Sequence, residues 1–78
     1  MDDNKKFIGR LSPVEREHII ETISRILARD TAGLDVKKLR GYADIFRVRV
    51  GRIRIIYTQN VDDVRIVQIS FRKEDTYK

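Results

Sequence analysis

Ile45-Phe46-Arg47-Val48-Arg49-Val50-Gly51-Arg52-Ile53-Arg54-Ile55-Ile56-Tyr57 decides the fold. Within residues 45–50, apolar or aromatic side chains alternate with basic ones. That is the period of a half-buried β-strand, whose successive side chains point to opposite faces. Gly51-Arg52 then suits a two-residue hairpin loop, with Gly supplying the positive φ of a type II′ turn.

This turn sets the pairing. Val50 falls opposite Ile53, Arg49 opposite Arg54, Val48 opposite Ile55, Arg47 opposite Ile56 and Phe46 opposite Tyr57. One face of the hairpin then carries Phe46, Val48, Val50, Ile53, Ile55 and Tyr57, which makes it a core face; the other carries Arg47, Arg49 and Arg54. Two arginines directly opposite each other repel, at a cost of up to ~1 kcal/mol, and arginine does not relieve this by losing its proton. A fold that keeps such a pair without a neighbouring carboxylate points to an anion site. The alternative is a solvated sheet face whose long side chains splay apart.

The bounds narrow the possibilities. Seventy-eight residues make one small domain, 1–78, with a modest core. The chain has no cysteine, so neither a disulfide nor a thiolate metal site is available, which fits a reducing cytoplasm. No apolar run approaches a membrane span and nothing resembles a signal peptide, so no membrane partner is expected. The net charge of +5 is uneven, −1 over residues 1–36 and +6 over residues 37–78. The second half therefore suits a polyanion or an acidic partner, unless its basic face serves only solubility.

Upstream, Asp2-Asp3-Asn4 offers caps for a short helix carrying Phe7, Ile8 and Leu11. Ser12-Pro13-Val14-Glu15 combines a Ser cap, Pro at the first helical position and Glu three residues after the cap. From there Ile19, Ile20, Ile23, Ile26 and Leu27 form one apolar stripe, predicting a helix over about residues 13–29. Asp30 to Asp35 is turn-rich, and Val36 to Tyr42 reads as an irregular basic connection. Asn60-Val61-Asp62-Asp63 marks another turn before a strand from Val64 to Phe71. An odd loop would put Val67, Ile69 and Phe71 on the core face and Arg72 beside Arg47, Arg49 and Arg54. An even loop would bury Gln68 and Ser70, which disagrees with ordinary burial preferences.

The candidate chemistry is narrow. His18 is the only histidine, and its place on a polar part of the helix makes it a surface residue. No Asp, Glu and His cluster has metal-ligand spacing, and Asp62-Asp63 and Asp2-Asp3 read as turn and cap residues. There is no phosphate-cradling glycine loop and no serine nucleophile motif. No metal or cofactor is expected. Several arginines on one sheet face remain, with Tyr57 in the core and Tyr77 near the end of the sequence.

Lys38-Leu39-Arg40-Gly41, the stretch from Phe46 to Tyr57, and Phe71-Arg72-Lys73-Glu74-Asp75-Thr76-Tyr77 together resemble the RelE/ParE toxin superfamily. The likeness covers about residues 5–78 and is strongest over 37–77. It implies an α+β fold, with an N-terminal helical hairpin on one face of a small antiparallel sheet. Family members usually begin with a strand before that hairpin; too few residues precede Phe7 to supply one, which leaves three strands and an open edge. The resemblance also implies the toxin of a type II toxin–antitoxin pair, with a cognate antitoxin as partner. In the RelE branch this is an mRNA interferase, acting with the ribosome and mRNA through attack of a ribose 2′-hydroxyl on phosphate. Carried over by position, Arg54, Arg72 and Tyr77 match catalytic residues, while Arg47 and Arg49 match the substrate-binding basic pair. The ParE branch implies an inhibitor of DNA gyrase on the same scaffold, and a catalytically degenerate binding module is the third possibility.

Overall fold

Two helices precede four antiparallel strands in the computed structural model, which describes residues 3–72. Helix α1 spans Asp3–Gly9 and α2 spans Pro13–Leu27. The strands are β1 (Asp35–Lys38), β2 (Ile45–Val50), β3 (Ile53–Gln59) and β4 (Val64–Phe71), in the spatial order β1-β2-β3-β4.

The local signals at α2 act as expected. Ser12 is the N-cap, its hydroxyl accepting a hydrogen bond from the Glu15 amide, and Pro13 fills the first helical position. The helix stops at Leu27, two residues short of the predicted end, because Arg29 takes a left-handed conformation with φ of 62°. The Arg29 amide bonds to the Ile26 carbonyl and the Asp30 amide to the Arg25 carbonyl, a Schellman closure. The Arg29 guanidinium then donates to the Asn60 carbonyl at 2.7 Å, tying this end to the β3–β4 turn.

The apolar stripe is narrower than the sequence suggests. Ile19 and Ile26 are fully buried, Ile23 is half-buried, and Thr22 is buried with its hydroxyl donating to the His18 carbonyl. Ile20 and Leu27 stay about half exposed, at 49% and 51%. A single sheet beneath the helix covers only one narrow face of it.

The β2–β3 hairpin adopts the register read from the sequence, from Val50 opposite Ile53 to Phe46 opposite Tyr57. Gly51 has φ of 60°, as the turn demands. Val48, Ile53, Ile55 and Tyr57 are buried with Leu11, Ile19, Ile26 and Ile69 in one core, and the Phe46 and Tyr57 rings stack at 5.4 Å. Burial pushes the Tyr57 phenol above its ordinary pKa.

Two expectations are corrected. Asp35–Lys38 is a strand, not part of an irregular connection, so the sheet has four strands among the described residues rather than three. Val36 points into the core beside Val48, and the two lysines after it hide the pattern. In β4, neither loop parity holds throughout. Gln59 pairs with Val64, leaving a four-residue turn, but a register shift at Ile56/Tyr57 inserts one extra residue. Ile69 and Phe71 therefore fall on the core face as expected, Val64 and Ile66 join them from the other parity, and Val67 is expelled to 53% exposure. At this bulge Asn4 acts as a short edge partner: its Oδ1 accepts from the Ile69 amide at 3.0 Å, and its Nδ2 donates to the Val67 carbonyl at 3.4 Å. No strand precedes α1 among the described residues.

Candidate functional site

The face of the sheet away from the helices is built in rows. Across the strands run Asp35, Arg49, Arg54 and Ser70, and beside them Lys37, Arg47, Ile56 and Gln68. Arg49 and Arg54 are direct opposites, as are Lys37 and Arg47, so like charges adjoin in both rows.

Burial is where this face departs from expectation. Arg47, placed by the register on the face away from the core, is only 9% exposed, and Arg54, expected to face solvent, is half-buried. Arg47 Nη1 and Arg54 Nε are buried without a hydrogen-bond partner among the described residues. A third such atom, Arg16 Nε, lies elsewhere, on a guanidinium that already donates to the Leu11 carbonyl. A buried donor left unpaired costs ~1–3 kcal/mol, and more when charged. Burial lowers the Arg47 pKa first, then repulsion from Arg49; Asp35 acts in the opposite sense, and Arg54 and Arg72 add further repulsion. Arg47, Arg49 and Arg54 form no ion pair among the described residues.

Arg72 continues the same alternation beyond β4. Its amide donates to the Arg52 carbonyl at 2.8 Å and its guanidinium to the Gly51 carbonyl at 2.9 Å, which fixes it at the hairpin tip. Arg52 points the other way. Its guanidinium donates to both Glu15 carboxylate oxygens, at 2.8 and 3.2 Å, and lies 4.6 Å from the centre of the Phe71 ring. Of the sequence-predicted site residues, Arg47, Arg49, Arg54 and Arg72 share one face; Tyr77 lies outside the described residues.

Strand β1 and its connection to β2 supply residues that the sequence did not mark as site residues. Lys37, Lys38, Arg40 and Tyr42 border an open concavity of about 680 Å³ together with Arg47 and Arg49. The basic run before Gly41 was the available signal, and its placement over Arg47 depends on β1 pairing with β2. A second concavity of about 620 Å³ lies between α1 and β4, bordered by Asn4, Lys6, Phe7 and Arg10. Among the described residues that border it, none carries an orphaned buried donor. His18 is exposed on α2, a helix packed on the opposite face of the sheet. Among the described residues no group of three or more His, Cys, Asp or Glu could hold a metal ion, and no helix is long and apolar enough to cross a membrane.

A helical hairpin on one face of a four-stranded antiparallel sheet matches the RelE/ParE fold. A chain of the RelB–RelE antitoxin–toxin complex from Methanococcus jannaschii matches it with a TM-score of 0.76 and 24% identity, over 100% of this chain and 96% of that one. No protein-family model matches the sequence, and comparison with curated proteins finds no match.

Proposed function

We propose that the chain is the toxin of a type II toxin–antitoxin pair and acts in the cytoplasm as a ribosome-dependent mRNA interferase. The observation that carries this reading is the buried Nη1 of Arg47, without a hydrogen-bond partner among the described residues, within a face that also holds Arg49, Arg54 and Arg72. A fold gains nothing from such a cluster unless an anion completes it. The fold shared with a chain of an antitoxin–toxin complex supports the same conclusion.

In this reading Arg47 and Arg49 hold the mRNA phosphate. The adjacent ribose 2′-hydroxyl gives its proton to solvent water as its oxygen bonds to phosphorus, the bond from phosphorus to the 5′-oxygen breaks, and a 2′,3′-cyclic phosphate remains. Arg54 and Arg72 stabilise the extra negative charge of the phosphorane, because fixed guanidinium forks favour it over the ground state. Tyr77, five residues after Arg72, is assigned the proton to the departing oxygen. A cognate antitoxin with an acidic segment would neutralise the face. Incubating the purified chain with translating ribosomes and mapping mRNA ends by primer extension tests the activity; cuts confined to the A-site codon are expected, and intact mRNA would contradict it.

One observation favours a second reading. Every cation in the two rows except Lys37 is an arginine, and arginine is a poor general acid or base. A binding-only protein, whether a DNA gyrase inhibitor or a catalytically degenerate module, needs no proton transfer. A supercoiling assay with gyrase separates these two.

A further inference from the structure

We propose that the loop between β1 and β2 forms a nucleotide subsite, with a base stacked on Tyr42 and its flanking phosphate held by Lys38 and Arg40 in front of Arg47. The inference rests on the reading of single-stranded RNA as substrate and names a site that the arginine face alone does not supply.

The loop is built to present that ring. The Tyr42 amide donates to the Leu39 carbonyl at 3.3 Å, and Gly41 has φ of 87°, so Leu39–Tyr42 is a type II turn with glycine where positive φ is required. The half-buried Leu39 anchors the turn, and its amide bonds to the Ile45 carbonyl at 2.9 Å, extending the β1–β2 ladder. Tyr42 is left 58% exposed at the rim of a concavity that five cationic side chains border together with Leu39 and Gly41. An exposed aromatic ring normally costs hydration free energy; among lysines and arginines it makes a stacking platform for a base whose phosphate the cations hold.

Two features favour a nucleotide over an acidic peptide. A carboxylate has no use for the ring, whereas every base has a face that stacks. Arg47 also borders the concavity, and its buried Nη1 has no hydrogen-bond partner among the described residues, so an anion bound beside it would offset charge that the fold leaves unpaired. Stacking is tolerant of base identity, so the subsite would grip any nucleotide and leave selection to the ribosome.

The test uses the full chain and a fluorescein-labelled, 2′-O-methylated hexauridylate, which lacks the attacking hydroxyl and reports binding alone. Tyr42→Ala is expected to weaken binding about 5- to 100-fold at unchanged melting temperature. The slope of log K against log salt should stay at the parent's value, since no phosphate contact is lost; Arg40→Ala should reduce it by about 0.7. Tyr42→Trp should restore binding and Tyr42→Leu should not. Parent-like binding by Tyr42→Ala, with binding lost in Arg47→Met, would overturn the subsite and leave the RNA reading standing. A parent that binds no RNA at low salt would overturn both. Loss of hexaglutamate binding in Tyr42→Ala with RNA binding intact would overturn the subsite in favour of an acidic peptide.

Discussion

Arg49 and Arg54 stand directly opposite each other across the β2–β3 hairpin, and no ion pair among the described residues relieves either. Their repulsion works against the fold by a few tenths of a kcal/mol to ~1 kcal/mol. Arg54→Ala and Arg49→Ala should therefore each leave stability unchanged or raise it by about 0.5 kcal/mol, and the double variant should gain less than the sum. Urea denaturation of the four proteins measures this. A loss of more than ~1 kcal/mol in Arg54→Ala would mean that the arginine is structural.

Arg47 makes the same point more sharply, because its guanidinium is buried beside Arg49 and Lys37. Arg47→Met keeps the apolar stem and removes the buried charge. It should raise stability by ~1 kcal/mol or more, as replacing buried charges with apolar side chains often does, while RNA binding falls at least tenfold. Greater stability with weaker binding marks a site kept for function; a drop in both would mark a packing residue.

Much of this was legible in the sequence, for local reasons. Gly51-Arg52 fixed the hairpin because a single glycine turn sets every pair from Val50/Ile53 to Phe46/Tyr57. Ser12-Pro13 fixed the start of α2 by cap chemistry. Strand β1 was not legible, since Val36 is its one apolar side chain and a single residue has no period. The bulge that expels Val67 depends on how a four-residue turn meets the core several residues away. Burial of Arg47 depends on long-range pairing with β1, as does the approach of Tyr42 to the arginine face. The arginines of the site were legible from alternation alone; Tyr77 rests on the resemblance.

The Glu15–Arg52 pair fastens the hairpin tip to the first turn of α2. The hydrogen bond from Arg52 is the main cause that holds the Glu15 carboxyl below its ordinary pKa. A group with a lowered folded pKa contributes stability above its unfolded pKa and loses it as pH falls through the folded value. Glu15→Gln should thus lower the urea midpoint near neutrality, and its difference from the parent should close as pH falls through the lowered folded pKa of Glu15. A difference that persists undiminished in acid would show that the glutamate acts through packing rather than charge.

Gly41 holds φ of 87°, where a side chain is strained, although a Cβ there would meet no atom within 4 Å. Gly41→Ala should therefore destabilise by ~1–2 kcal/mol through backbone strain alone, lowering Tm by about 4–8 °C per kcal/mol in a domain of this size. An unchanged Tm would mean that the Leu39–Tyr42 turn has no fixed geometry.

Arg54 lies inside the row that runs from Asp35 through Arg49 to Ser70, flanked by Arg49 and Ser70, and is the residue on which cleavage should depend most. The measurement is the rate of mRNA cleavage on translating ribosomes by the parent, Arg54→Ala and Arg54→Lys, each checked for folding by its urea midpoint. The parent should cut in the A-site codon, Arg54→Ala should be slower by about 10²–10³-fold at undiminished stability, and Arg54→Lys should recover only part of the rate, a point charge replacing a fork. A parent that leaves mRNA intact, or a folded Arg54→Ala that cuts at the parent's rate, would contradict the assignment of this face to phosphoryl chemistry.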